Sequence, residues 1–197
     1  MLETNRLKLV AFEKDDVEQM SRWDESPDVR KYFVANAYAL SEPEREKEMF
    51  DTWLEETEKG VMCFYKVVLK KGVAGKRGKE RPIGMAGWHQ TGDIPGRYEL
   101  WLYIAEGKWL NKGLGTEIVK ELTRALFECY GAHTVMLCWH ATNLRGRRCY
   151  IDKCGFKYEA RRREATSWEG EYFDMEIASI TREEYKRLKK DRVYGDT

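Results

Sequence analysis

The stretch YELWLYIAEGKWLNKGLGTEIVKELTRALFECYGAHTVMLCW, residues 98–139, decides the fold of this chain. Its first part, Tyr98–Ala105, is aromatic and branched enough for a central strand. Thr134–His140 contains the almost wholly apolar run TVMLCW, which is typical of a strand buried on both faces. A strand, a helix and a strand in this order predict a right-handed crossover between two parallel strands. The helix is indicated by apolar residues that recur on one face: Ile118, Val119, Leu122, Ala125, Leu126 and Cys129.

The upstream segments add strands that hairpins connect. Arg6–Phe12 alternates apolar and polar residues, as a half-buried strand does. Met62–Leu69 and Pro82–His89 have strand composition and flank a polar, glycine-rich turn, so we expect them to be antiparallel. The sequence therefore predicts an α/β fold with a mixed sheet. Helices are predicted at Lys14–Trp23, at Asp28–Phe33 after Pro27, and from a capping box of Ser41 and Glu44 to about Lys59.

The composition is that of one globular domain over residues 1–197. Hydrophobic residues make up 42%, and Lys+Arg 35 balance Asp+Glu 34, so nucleic acid is not an expected partner. The chain has no apolar run of about 18 residues and no signal-peptide core at its start, so we expect no membrane partner. Five cysteines without a C-x-x-C pair favour buried, reduced thiols in the cytoplasm over disulfides or a metal site.

The glycine-containing loop LNKGLGTE, residues 110–117, precedes the crossover helix. It lacks the spacing of a Walker phosphate loop, and it lacks the third glycine of a dinucleotide fingerprint. Two interpretations remain. The backbone N–H groups of residues 110–116 could bind a pyrophosphate at the positive end of the helix, or the loop could be purely structural.

Five segments in order resemble the GCN5-related N-acetyltransferases (GNAT), in particular their RimJ/RimL-like branch of ribosomal-protein N-terminal acetyltransferases. The first is the opening, residues 3–33, with its E-T-x-R-L-x-L pattern. RPIGMAG (81–87) is similar to the family's x-I-G-x-x-G strand, and LNKGLGTE is similar to its pyrophosphate loop. NLRGRRCYIDKCGF (143–156) and EGEYFDMEIASITREEY (169–185) resemble its asparagine-led helix and its closing hairpin.

The resemblance implies acetyl transfer from acetyl-CoA to a primary amine in a direct ternary complex. It also implies the GNAT fold, a mostly antiparallel sheet of six or seven strands in which two parallel strands splay apart. Here those strands would be Tyr98–Ala105 and Thr134–His140, whose backbone groups could pair with the pantetheine amides. A homodimer is compatible with the resemblance. The residues it implies for cofactor binding are Leu102, Tyr103, Ile104, Leu110, Asn111, Lys112, Gly113, Leu114, Gly115, Thr116, Asn143 and Arg147.

Two segments depart from the family pattern by one residue each. Leu110 adds a residue before the loop. Asn111 stands where the family commonly has glycine, and asparagine can replace glycine there because it adopts the left-handed backbone conformation more readily than other residues. The segment from Asn143 to Phe156 is one residue longer than the pattern. We expect Asn143 to cap the helix Leu144–Cys154, which Gly155 ends. Arg145, Arg147 and Arg148 could pair with the 3′-phosphate or form a solvated face.

The catalytic candidates are Glu99 and Tyr150. The family often has a carboxylate at the position of Glu99 that deprotonates the amine through water; the alternative is a structural ion pair, and His89 is a second candidate base. Counting seven residues from Asn143 places Tyr150 where many relatives have a tyrosine, and the resemblance implies that it is the general acid for the departing thiolate. Counting back from Phe156 places Ile151 there and makes Tyr150 a core residue.

The acceptor is predicted less sharply. Trp23, Tyr32, Phe33 and Trp168 are candidate walls of its pocket, and each could equally belong to the core. The branch implies the α-amine of a protein or peptide, but polyamine, aminoglycoside and amino-acid acetyltransferases share these motifs. A non-catalytic acyl-CoA sensor, a transferase for a longer acyl group, and a nucleic-acid module built on the basic 70–81 loop are the other hypotheses.

Overall fold

The computed structural model describes residues 1–24, 26–32, 43–73, 78–92 and 94–195. Within these ranges, all strands belong to one eight-stranded sheet in the order β1-β2-β3-β4-β5-β6-β8-β7. The short β1 adds an eighth strand to the six or seven expected, because Leu2 and Glu3 pair with the edge of β2. The strands are β1 (Leu2–Glu3), β2 (Leu7–Ala11), β3 (Met62–Leu69), β4 (Arg81–Gln90), β5 (Arg97–Ile104), β6 (Thr134–His140), β7 (Lys157–Trp168) and β8 (Glu171–Thr181).

The sheet is mixed, as the sequence predicts. Strands β1 to β5 are antiparallel neighbours, β5 and β6 are parallel, and β8 is antiparallel to both β6 and β7. The crossover from β5 to β6 runs through the long helix α4 (Leu114–Glu128). The predicted α/β class and the parallel pair at its centre are therefore confirmed.

The helices cover both faces of the sheet. Those besides α4 are α1 (Val17–Asp24), α2 (Pro27–Tyr32), α3 (Pro43–Glu58), α5 (Leu144–Arg147) and α6 (Arg182–Lys190). The apolar face of α4 is fully buried and packs in the main core with β2, β5 and β6. A smaller core on the opposite face joins α1 and α2 to β4 and β5. No helix of the described ranges is long and apolar enough to cross a membrane.

The cysteines are all free thiols, but the expectation that all of them are buried is wrong. Cys129 is exposed, whereas Cys154 is buried. Helix α4 ends at Glu128, so Cys129 is the cap residue and leaves the buried face of the helix. The periodicity that included Cys129 therefore extends one residue past the last helical turn.

The glycines of the RPIGMAG segment let β4 approach its neighbours closely. A Cβ atom at Gly84 would overlap the backbone carbonyl oxygen of Tyr103 in β5. A Cβ atom at Gly87 would overlap the ring of Trp101 and the carbonyl oxygen of Cys63. These two positions require glycine because β3 and β5 cannot move away without losing their pairing with β4.

We predict that Gly84→Ala lowers the free energy of unfolding by about 3 kcal/mol, because the added methyl group overlaps paired backbone. Gly107→Ala is the matched control, since no atom lies within 4 Å of its added Cβ. Its effect should stay within about 0.5 kcal/mol. Urea denaturation of the two variants makes the comparison, and equal stabilities would contradict the close packing of β4 on β5.

Candidate active site

The two central parallel strands separate along their length. Their pairing runs from Arg97 opposite Thr134 to Leu100 opposite Leu137 and stops there. Strand β4 continues to pair with β5 as far as Ile104, and β8 continues to pair with β6 as far as His140. The gap between β5 and β6 is therefore held open from both sides by intact strand pairing.

A cavity of about 660 Å³ fills this gap, which is a common size for a ligand site. It extends from the loop before α4, along β5 and β6, to Glu99 and the hairpin of β7 and β8. All the sequence-predicted cofactor residues except Lys112 and Arg147 line it: Leu102, Tyr103, Ile104, Leu110, Asn111, Gly113, Leu114, Gly115, Thr116 and Asn143.

The loop before α4 has two residues in the left-handed region, Asn111 with φ 58° and Gly113 with φ 77°. Gly113 is the N-cap of α4. The first N–H groups of a helix have no acceptor within the helix, and its N-terminus is electropositive. Because this helix start faces the cavity, its N–H groups can bind phosphate oxygens there.

Arg6, which directly precedes β2, anchors that loop. Its backbone N–H and its Nε donate to the two carboxylate oxygens of Glu117, at 3.2 and 2.8 Å. Its Nη1 donates to the carbonyl oxygen of Lys112 at 2.8 Å. Arg6 thus neutralises the carboxylate in the first turn of α4 and holds the Lys112 carbonyl. This contact explains the arginine of the E-T-x-R-L-x-L segment.

Lys112 and Arg147 lie outside the described lining of the cavity. The Nζ of Lys112 lies 5.0 Å from the ring centre of Trp109, and the Nε of Arg147 lies 3.9 Å from a carboxylate oxygen of Glu176. Three other cations line the cavity: Arg145, Arg148 and Lys153. Of these, Lys153 is absent from the sequence-predicted set.

The helix after β6 absorbs the extra residue of the Asn143–Phe156 segment. Asn143 caps it by accepting from the N–H of Gly146 at 3.0 Å. The helix then widens into a π-helical turn at Arg148–Lys153, in which the N–H of Cys154 donates to the carbonyl of Cys149 at 3.1 Å. A π-turn accommodates one inserted residue. With the extra residue taken up in this turn, Tyr150 is the residue that lines the cavity, whereas Ile151 packs against the main core.

Tyr150 lies within this turn and lines the cavity. Its side chain is mostly buried, and its ring packs on that of Trp139 with centroids 5.3 Å apart. Burial raises the pKa of the Tyr150 hydroxyl far above its usual value. The hydroxyl is therefore protonated at neutral pH, as a proton donor must be.

Glu99 lies on β5 at the other end of the cavity. Its Oε2 is 3.6 Å from the Nε2 of His89, which is directly opposite on β4 and outside the described lining. Burial raises the pKa of Glu99, and the charges of His89 and Arg162 offset part of that effect. A carboxyl group with a raised pKa is a better proton acceptor than an ordinary surface carboxylate.

The predicted acceptor residues are divided among several places. Tyr32 lines the cavity, and the guanidinium of Arg145 lies 6.0 Å from its ring centre. Trp23 instead belongs to the smaller core, where it packs edge-on against Tyr103 at 6.4 Å. Trp168, at the end of β7, is not among the described lining residues. Phe33 lies outside the described residues.

The structure also brings Arg162, Ala165 and Met175 into the cavity wall. Sequence reasoning missed Arg162 and Ala165 because a regular strand would place them on opposite faces. Met175 follows Asp174 in the closing hairpin, and the two form the D-M pair of the segment that resembles the family pattern. That resemblance does not predict that Met175 lines the cavity.

A family model described as an acetyltransferase (GNAT) domain matches residues 6–157. No curated protein matches the sequence. The chain is similar in structure to spermidine N-acetyltransferase from Vibrio cholerae in complex with CoA and spermine, with a TM-score of 0.75 and 17% identity over 93% of this chain and 99% of that one.

Two further solved structures are also similar to this chain. RimJ from Mycobacterium smegmatis, in complex with CoA-disulfide, has a TM-score of 0.74 and 15% identity, covering 94% of this chain and 89% of that one. AAC(6′)-Ib, in complex with paromomycin and acetyl-CoA, has a TM-score of 0.72 and 20% identity, covering 95% and 99%. At these identities the likeness establishes the fold.

We predict that Gly115→Val removes the increase in melting temperature that CoA produces. A side chain at Gly115 meets only ordinary contacts, with Leu102 and Cys149, so the variant should fold, but its branched side chain enters the cavity beside the helix start. Lys120→Val in the same helix is the control for a branched residue and should keep the shift. An undiminished shift in Gly115→Val would contradict the placement of the pyrophosphate.

Proposed function

The chain belongs to the GNAT family of acetyl-CoA-dependent N-acetyltransferases, and we propose that its acceptor is the α-amine of a protein or peptide, which attacks acetyl-CoA in a direct ternary complex. The observation that carries the proposal is the cavity, which extends without interruption from the helix start of α4 to Glu99. The backbone N–H groups at the start of α4 suit an anion, and Glu99 at the other end can accept a proton.

The charges of the cavity favour a peptide over a polycation. Among the described lining residues, Arg162 is the basic side chain whose charge acts on Glu99, the one carboxylate there. Polyamines and aminoglycosides carry several positive charges, which Arg162 would repel beside Glu99. A peptide can present a single positive charge, that of its α-ammonium group.

In the proposed mechanism, the pyrophosphate binds at the start of α4 and the pantetheine extends between β5 and β6. Glu99, through a water molecule, accepts the proton of the ammonium group. The free amine attacks the thioester carbonyl, and the C–S bond breaks as the tetrahedral intermediate collapses. Tyr150 donates its hydroxyl proton to the departing thiolate, and the second proton of the attacking nitrogen, which is lost as the amide forms, returns through water to the Tyr150 phenolate. Glu99 then releases its proton to solvent.

An amine panel that monitors free thiol release from acetyl-CoA tests the proposed acceptor. It should include peptides with varied first residues, spermidine, an aminoglycoside and free amino acids, and succinyl-CoA should replace acetyl-CoA in a parallel series. Turnover confined to peptides supports the proposal. Turnover confined to polycations contradicts the acceptor, a preference for succinyl-CoA contradicts the acetyl donor, and CoA binding without any turnover indicates a sensor.

We predict that Glu99→Gln lowers kcat/KM by about 10²-fold at neutral pH. The deficit should shrink as pH rises, because the amine then loses its proton to solvent. His89→Gln removes a charge that lowers the pKa of Glu99, so that pKa should rise. The acidic limb of the pH profile should therefore move to higher pH than in the wild type. A deficit that is independent of pH would mean that Glu99 does not accept the proton.

Glu99→Gln should not destabilise the fold at neutral pH. The pKa of Glu99 is raised in the folded state, so folding disfavours its charged form. The folded state then binds more protons than the unfolded state between the two pKa values, and stability falls as pH rises through that interval. Glu99→Gln removes this cost. Its melting temperature at neutral pH should equal or exceed that of the wild type, whereas a structural ion pair predicts a decrease.

We predict that Tyr150→Phe lowers kcat at least about tenfold while leaving the melting temperature nearly unchanged, because the ring still packs on Trp139. The matched control is Tyr98→Phe, whose hydroxyl donates to the carbonyl of Tyr130 at 3.2 Å and lies outside the described cavity lining. This control should keep the wild-type kcat. If Tyr150→Phe also keeps it with saturating amine, Tyr150 is a core residue only.

A further inference from the structure

Strand β7 is interrupted where it passes the cavity. Arg162 pairs with Met175 of β8, but the next pair joins Thr166 to Phe173. Three residues of β7, Arg163 to Ala165, therefore lie opposite Asp174 alone. At the centre of this bulge, Glu164 has φ 49°, in the left-handed region that a non-glycine residue rarely adopts. Such strain persists only where the surroundings enforce it.

Asp174 enforces this bulge with both carboxylate oxygens. Its Oδ1 accepts from the backbone N–H of Glu164 at 2.8 Å, and its Oδ2 accepts from the Nε of Arg161 at 2.7 Å. The hydrogen bond from the Glu164 backbone is the main reason that the pKa of Asp174 lies below its usual value. The aspartate of the D-M pair thus fixes the backbone of the opposite strand.

The bulge changes which side chains face the cavity. Arg162 and Ala165 are three positions apart, so a regular strand would turn them to opposite faces of the sheet. Both line the cavity. Arg162 pairs directly with Met175, which also lines the cavity, so regular pairing already turns Arg162 toward it. The bulge that follows turns Ala165 to the same side, as bulges next to active sites commonly do.

Arg162 brings a positive charge to the reacting end of the cavity. Burial raises the pKa of both Glu99 of β5 and Cys138 of β6, and the charge of Arg162 offsets part of each rise. Its neighbour Arg161 is paired with Asp174, whereas Arg162 has no carboxylate within 4.0 Å among the residues that the structure describes. An exposed guanidinium without such a partner is available to bind a carboxylate in a bidentate manner.

We infer that Arg162 is a specificity-determining residue that binds a carboxylate of the acceptor, close to the amine that Glu99 deprotonates. The inference rests on the proposed acetyl transfer and names its substrate class: amines with a neighbouring carboxylate. In a peptide, the carboxylate belongs to an aspartate or glutamate among the first residues. In a free amino acid, it is the α-carboxylate.

The experiment uses acceptor pairs that differ only in one carboxylate and its amide. Peptides with Asp or Asn, placed in turn at the first, second and third position, test the side-chain source, and amino acids with their amides test the α-carboxylate source. The wild type should favour the carboxylate member of at least one pair by about tenfold or more in kcat/KM. In Arg162→Gln the ratio for that pair should fall to near one.

Arg163→Gln is the matched control, because it removes the same charge from the adjacent position, which is outside the described cavity lining. It should keep the wild-type ratio. Since each ratio is measured within one variant, partial loss of folded protein does not affect it. Turnover with no preference for a carboxylate, or a preference that survives in Arg162→Gln, would overturn the inference alone. Failure of every amine would overturn the proposed transfer and this inference together.

Discussion

The parting of β5 and β6 after Leu100 and Leu137 is the constraint on which the rest of the structure depends. Backbone N–H and C=O groups inside a protein need hydrogen-bond partners, so two central strands do not separate without something to replace their pairing. The flanking strands β4 and β8 stay paired and keep the gap open. We propose that the amide groups of the pantetheine of acetyl-CoA take the place of a strand in this gap and that the start of α4 binds its pyrophosphate.

The charges around the gap are arranged at a cost to stability. Burial raises the pKa of Glu99, which disfavours folding of its ionised form. The described lining of the cavity has four basic side chains and one carboxylate, although the whole chain carries a net charge of only +1. Glu117, which would repel a phosphate, is neutralised by Arg6. Strain at Glu164 adds to the cost. Such costs are common at functional sites and rare elsewhere.

Periodicity predicted most of the fold, because the crossover helix and the central strands have long and regular patterns. The left-handed conformation of Asn111 was also predictable, since asparagine tolerates it. Single-residue irregularities were not: an extra residue after Asn143 signalled a register conflict but not the π-turn that resolves it, and nothing in β7 signalled its bulge. Helix α6 was missed although Thr181 and Glu184 form a capping box. Trp23 could not be assigned to core or cavity from spacing alone, because both environments favour a large aromatic ring.

Amide hydrogen exchange with and without acetyl-CoA tests the central claim most directly, because it measures the protection of the backbone N–H groups that are proposed to bind the cofactor. Acetyl-CoA should slow exchange at those amides of residues 101–104 and 138–140 that point into the gap rather than to β4 or β8, and at residues 111–116 of the loop. Amides of β2 and β3, remote from the gap, serve as the internal reference and should change little. Protection confined to other regions, or none in the gap at saturating acetyl-CoA, would contradict the account.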